Sequence, residues 1–258
     1  MTILKHREAL LALALLASLA LIATRFPAFI APASLANVFN DTAPLMILVI
    51  GQMIVILTKC IDLSVAATLA LTGMTAALMN GAGVPLPLIL LTVVLMGAAL
   101  GAINGILVWK VGIPSIVVTL GTMTIYRGVI FLMTDGKWVN AHEMTDAFKS
   151  LPRLILLGLP VMSWVAIALI AVFALILTRT PLGRAFYAVG GNPHAAVYAG
   201  IDVGKTQFWA FTLSGALAGL TGYLWTARYA VAYVDIAGGF ELDVVAACVI
   251  GGIAIAGG

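Results

Sequence analysis

Charge is what this sequence has least of: only 9% of its 258 residues are Asp, Glu, Lys or Arg, against about 25% in a soluble globule. With 63% hydrophobic residues and a mean hydropathy of +1.16, the chain is excluded from the soluble globular class. The net charge of +3 is scattered in ones and twos. No basic run exists to track a phosphate backbone, so nucleic acid is not an expected partner. Cysteine is nearly absent. Cys60 and Cys248 border or lie in apolar runs without metal-ligand spacing, which excludes a disulfide framework and leaves packing as their role. The three histidines, His6, His142 and His194, fall on different loops, and no Ser/His/Asp or Cys/His set is present. No catalytic residue, metal site or cofactor is therefore expected.

What the sequence has is long continuous apolar runs, which argue against a strand barrel and for an all-α polytopic transmembrane helical bundle. At about 20 residues per span the length allows about seven or eight spans, read as one transmembrane domain over residues 1–258. Lys5, His6 and Arg7 followed by the apolar run Ala9 to Ala23 read as an uncleaved first helix. The many later spans weigh against a signal peptide cleaved at Ala31-Pro32-Ala33. A polar break from Thr24 to Asp41 precedes a second span over about Thr42 to Thr58. Further spans are expected to about Met79, from Pro87 to about Val108, from Pro114 through Arg127, from about Ile155 to Thr178, and from about Phe208 to Ala227.

A few polar and small residues interrupt these runs. Asp62 stands where an N-cap would accept from the free amides of the third helix. The alternative is contact with a polar substrate or partner, since acids near the membrane tend to be kept for a use. Gly97, Gly101 and Gly105 repeat every four residues, as do Gly215 and Gly219, giving small-residue faces that admit close helix approach. Asn104 beside the first of these reads as an interhelical hydrogen bond rather than a ligand. The fifth span carries Ser115, Thr119, Thr122 and Thr124, hydroxyls that can face a neighbouring helix or a wet cavity and replace water around a polyhydroxylated solute. Arg127 ends that face, either snorkelling to the rim or doing polar work.

Residues 179–206 form a polar, glycine-rich island in which Arg179, Arg184 and Lys205 outnumber Asp202. The positive-inside bias puts such a loop in the cytoplasm. Within it, Pro193 to Gly200 reads as a short helix, with Pro193 at its first position and Gly200 as terminator. A short helix on the cytoplasmic face suits capture by a cytosolic partner; the plainer alternative is a solvated connector. Gly204-Lys205-Thr206 imitates a phosphate-binding loop, but the spacing needs glycine where Ala199 stands, and no strand precedes it. On this topology seven Lys and Arg lie inside and six outside, a weak bias. After Asp243 only 15 residues remain, so the last segment is either re-entrant or part of a longer protein.

Transport is the natural work of such a chain, and no expected span carries a mid-membrane carboxylate of the kind ion-coupled carriers use. An external energy source acting through the island is the leading expectation. An ion-coupled carrier or passive channel is the alternative, and a membrane-embedded enzyme has no constellation behind it. The segments IDLSVAATLALTG from Ile61, IPSIVVTLGTMTIYRG from Ile113, TPLGRAFYAVGGNPHAAVYAGI from Thr180, SGALAGLTGYLWTAR from Ser214 and GGFELDVVAACVIGG from Gly238 resemble, in order, the signature stretches of ribose-type sugar permeases of bacterial ABC importers, including those for rhamnose and autoinducer-2. The resemblance implies a permease subunit of the bacterial inner membrane, working with an ABC ATPase, a periplasmic sugar-binding protein and a second permease copy or paralogue, and further helices beyond Gly258. It also implies a coupling segment with the pattern E-A-A-x-x-x-G. Here Pro193 precedes His194, Ala195, Ala196 and Gly200, so histidine replaces the acid. Asp62, Asn104, Thr119 and Thr122 are the candidate pathway residues.

Overall fold

The computed structural model describes residues 7–255 and 257; Lys5 and His6, in the expected basic flank of the first helix, lie outside them. The chain forms two compact units, residues 1–42 and 43–258. In the first, α1 (Arg7–Arg25) precedes a short 3-10 turn at Pro27–Ile30. Within this unit its large side chains, such as Leu13, Leu16 and Leu21, point outward. The polar break expected between Thr24 and Asp41 is largely helical: α2 (Pro32–Leu57) begins ten residues before the expected start at Thr42, with Pro32 at a position where no amide partner is needed. Pro44 lies inside α2 and removes the bond to the carbonyl four residues back without ending the helix.

In the second unit α2 continues into a linker, 58–64, followed by α3 (Val65–Gly81), α4 (Leu86–Ile106) with a π turn at Leu107–Val111, and α5 (Ser115–Thr134). A loop with the single-turn α6 (Asp146–Ser150) leads to strands β1 (Ile155–Leu156) and β2 (Leu159–Pro160). Then come α7 (Val161–Arg179), α8 (Pro181–Gly191), α9 (Pro193–Tyr198), α10 (Val203–Tyr229) and α11 (Phe240–Ile250). The span expected from Ile155 starts six residues later, because Leu157 (φ +50°) and Gly158 (φ +83°) turn the chain into a tight hairpin that pairs Ile155 with Pro160. Among the described residues, four helices are long and apolar enough to cross a membrane: Pro32–Leu57, Leu86–Val111, Ser115–Thr134 and Val161–Arg179. Ala12–Arg25 and Val65–Gly81 are apolar but shorter. The 27-residue α10 is diluted by Lys205, Gln207, glycines and hydroxyls.

The core is α10 packed against α4 and α3. Lipid tails are as apolar as leucine, so close packing rather than the hydrophobic effect joins helices here. Gly97, Gly101 and Gly105 of α4 lie on Gly219, Gly215 and Phe208 of α10, and a methyl group placed at Gly97 would come within 2.8 Å of the Gly219 Cα. Further along α10, a methyl at Gly222 would approach the Gly73 nitrogen of α3 to 2.8 Å. Both expected small-residue faces therefore meet each other.

Hydrogen bonds sort the loops of this unit to two ends. At one end Asn80, last but one in α3, bonds the Thr145 hydroxyl (3.0 Å) and amide (2.8 Å), and Tyr223 donates to the Phe148 carbonyl at 3.1 Å. Val139 and Ala232 exchange two backbone bonds of 2.9 Å there, and Arg127 donates to the Val234 carbonyl (2.8 Å) while pairing with Asp235 at 3.1 Å. Arg127 is thus tied to the 234–236 loop, not left to snorkel. At the other end lie the 58–64 linker and the starts of α5 and α10.

Candidate functional site

The 58–64 linker is six peptide bonds long and holds the buried Thr58, Cys60, Asp62 and Ser64. A non-helical backbone inside a membrane bundle must find partners for its amides and carbonyls; here three helices supply them and a fourth bonds a linker side chain. Gln207 of α10 donates its Nε2 to the Thr58 carbonyl at 3.2 Å. Ser115 at the start of α5 accepts from the Ile61 amide at 3.2 Å, and Thr119 one turn later donates to the Ile61 carbonyl at 3.4 Å. The Gln52 amide of α2, oriented by these neighbours, donates to the Asp62 carbonyl at 3.1 Å and accepts from the Asp62 amide at 3.2 Å. Asn104 of α4 donates Nδ2 to Ser64 Oγ at 2.8 Å.

Asp62 is 2% exposed and is not the N-cap of α3. The cap position falls to Ser64, whose own side chain bonds no helix amide. The Asp62 carboxylate instead accepts through Oδ1 from the Ser64 amide (2.9 Å) and hydroxyl (2.6 Å), closing a tight turn ahead of the helix. The result is a relay of donors, Asn104 amide to Ser64 hydroxyl to Asp62 carboxylate. Burial pushes the Asp62 carboxyl above its ordinary value, opposed by the two Ser64 bonds, and burial likewise raises the Cys60 thiol. Asn104 is fully buried, and its Oδ1 has no partner. An acceptor left bare in such a place is costly, and a solute hydroxyl could satisfy it.

Of the four candidate pathway residues, the fold thus brings Asp62, Asn104 and Thr119 onto one linker. Thr122 is buried one turn further along α5, and its hydroxyl bonds only within that helix, to the Thr119 carbonyl at 3.4 Å. Gln52 and Gln207 complete the cluster and are not among the residues singled out by sequence. An amide in the apolar run of α2 was the available signal for Gln52, since such groups in a span need a partner.

The basic island is mostly helix. Thr180 caps α8 by accepting from the Gly183 amide at 3.1 Å, with Pro181 at its first position; Phe186 and Val189 make its buried face, and Arg184 and Tyr187 are exposed. The expected short helix is α9, capped by Asn192, which accepts from the Ala195 amide at 3.1 Å. It ends at Gly200 with φ +80°, a left-handed conformation that suits glycine. Ala196 is 3% exposed and faces the protein, whereas Tyr198 is 93% exposed and His194, Ala195 and Val197 are also open. The Ile201 amide bonds back to the Ala196 carbonyl at 2.9 Å, and Asp202 then caps α10 through the Lys205 amide at 2.8 Å.

Residues 34–258 match the family described as branched-chain amino acid transport system / permease component. The chain is 37% identical over 257 residues to the Autoinducer 2 import system permease protein LsrC of Enterobacter sp. (strain 638), covering 100% of this chain and 74% of that protein. It is 37% identical over 248 residues to the Ribose import permease protein RbsC of Haemophilus influenzae, covering 95% of this chain and 77% of that one. No solved structure matches. The resemblance carried by the five motifs is thereby borne out, and the chain belongs to this family of transport permease components, as a multi-pass helical protein of the bacterial inner membrane.

Proposed function

We propose that this permease carries a monosaccharide or a similar small polyhydroxylated solute inward, and that ATP is hydrolysed on a separate ABC ATPase subunit held by α9. The import systems named for the relatives, one for ribose, support a sugar-like solute. The family reading brings with it a periplasmic sugar-binding protein and a second permease copy or paralogue as partners. Residues 179–206 serve as the cytoplasmic coupling segment, and Asp62, Asn104, Thr119 and Thr122 mark the inner part of the solute path. There, solute hydroxyls would exchange with the bonds that now close the linker.

The observation that carries this reading is the exposed face of α9. A helix of six residues cannot hold itself together in water. This one is fixed by the Asn192 cap and the Ala196 to Ile201 bond, and it leaves Val197 and Tyr198 uncovered. His194 offers no carboxylate to a partner, so docking rests on the surface of His194, Ala195, Val197 and Tyr198 with the open ground at Gly200. A Cβ at Gly200 would meet nothing within 4 Å in this chain, so a side chain there starts from open space. Gly200→Trp should therefore cost the permease only about 1–2 kcal/mol of backbone strain, leave its amount in the membrane unchanged, and abolish both ATPase capture and uptake. Normal uptake by that variant would count against the proposal.

A further inference from the structure

Thr58 directly follows the last turn of α2, where carbonyls have no helical partner. Its carbonyl is served across 149 positions of sequence by the Gln207 amide, at 3.2 Å. Gln207 lies in the second turn of α10, downstream of the Asp202 cap. That cap holds the Lys205 amide at 2.8 Å, and the Asp202 carbonyl accepts from the Thr206 amide (3.0 Å) and hydroxyl (2.7 Å). Ile201 bonds back to the Ala196 carbonyl of α9, and the very next residue, Asp202, caps α10. On the other side of the contact the next residue, Lys59, is held at φ +62°, a conformation that a side-chain-bearing residue keeps only when its surroundings impose it. Beyond it the linker passes directly to Asp62 and the Asn104–Ser64–Asp62 relay.

We infer that Gln207 is the positioning residue through which movement of α9 reaches the 58–64 linker, so that pulling on the coupling helix loosens the polar cluster that closes the solute path. This rests on the docking role proposed for α9. The bond is suited to the task because it is single, neutral and at the edge of the cluster. The glycine contacts between α4 and α10 deeper in the bundle leave no room for such sliding. At its start α10 also packs closely, with Gly204 on Trp109 and Phe208 on Gly105, so the movement that Gln207 passes to the linker is a small one.

The linker carries its own reporter in the buried Cys60. With Cys248→Ala as background, the full-length permease is expressed in membranes together with its ATPase, and alkylation of Cys60 by N-ethylmaleimide is timed with and without ATP plus vanadate. Nucleotide should change the alkylation rate by about tenfold, within the usual span of coupling between sites. Gln207→Leu, which keeps the bulk and loses the donor, should abolish that response while the ATPase still co-purifies. Gln207→Glu, which presents a second acceptor to the Thr58 carbonyl, should do the same, and Gln207→Lys, which restores a donor, should recover it. A merely structural bond would change Cys60 reactivity equally with and without nucleotide. A response in Gln207→Leu equal to that of the parent overturns the relay and leaves the docking role standing. Failure of the parent permease to capture any ATPase overturns the docking role and the relay together.

Discussion

The α4/α10 seam and the 58–64 cluster share two helices, yet they are held by different physics. At the seam, Gly97, Gly101, Gly215 and Gly219 bring backbone onto backbone with no side chain between, so the only freedom is to come apart. At the cluster, Gln52 holds the linker by two hydrogen bonds and Asn104, Thr119 and Gln207 by one each, bonds of a kind that a hydroxyl can replace. One region sets a fixed wall; the other, on the function proposed above, is a closure that can be remade. In a membrane this division is forced, because a bare polar group in hydrocarbon is costly and hydrogen bonds are the natural fastening for a part that must move.

The comparison breaks first at the seam. Gly101→Leu would drive a side chain into the Phe211 and Gly215 backbone, which neither helix can move without losing its neighbours. We expect a loss of at least about 4 kcal/mol and no stable permease in the membrane. Near-normal levels of purified protein would show that the seam is softer than its geometry implies. At the cluster the effects should be smaller on stability and larger on transport. Asn104→Leu removes the donor to Ser64 and should cost about 1–2 kcal/mol, read as a melting temperature lower by a few degrees in detergent, while uptake falls at least about tenfold. Uptake unchanged beside a lowered melting temperature would reduce the cluster to a structural fastening.

Asp62→Asn sharpens the contrast further. Burial raises the carboxyl of the folded protein above its unfolded value, so its stabilising contribution is complete below about pH 4 and is lost as pH rises through the raised folded value. The asparagine variant keeps an acceptor for Ser64 and loses that slope. Its melting temperature, measured against the parent, should therefore gain on moving from pH 5 to pH 8, and a gap that stays constant would place the titration elsewhere.

Much of this was legible in the residues. The four-residue glycine spacing on two spans foretold the seam, since only small residues at one face of each helix permit such an approach. Pro193 and Gly200 bracketed α9 because each has a single conformational use there. The rest was hidden for definable reasons. Gly183, Gly190, Gly191 and Arg184 made α8 resemble a loop, although the Thr180 cap, Pro181 and the Phe186 and Val189 face were in the sequence. Pro27, Pro32 and the polar pair Asn40 and Asp41 masked the early start of α2, and the apolar stretch Leu154 to Val161 concealed a hairpin whose turn is set by Leu157 and Gly158. At the cluster, Asp62, Asn104 and Thr119 stood out as polar groups near spans. Their common attachment to one linker, and the pairing of Gln207 with Thr58, are tertiary facts that no local pattern encodes.

The account turns on whether the exposed end of α9 is held from the cytosol. A photo-activatable amino acid placed at Tyr198 in the permease in living cells, followed by identification of the captured partner, measures this directly. Capture of a nucleotide-hydrolysing subunit is the expected result. Reaction of a cysteine at the same position with a membrane-impermeant reagent added from the periplasmic side would contradict it.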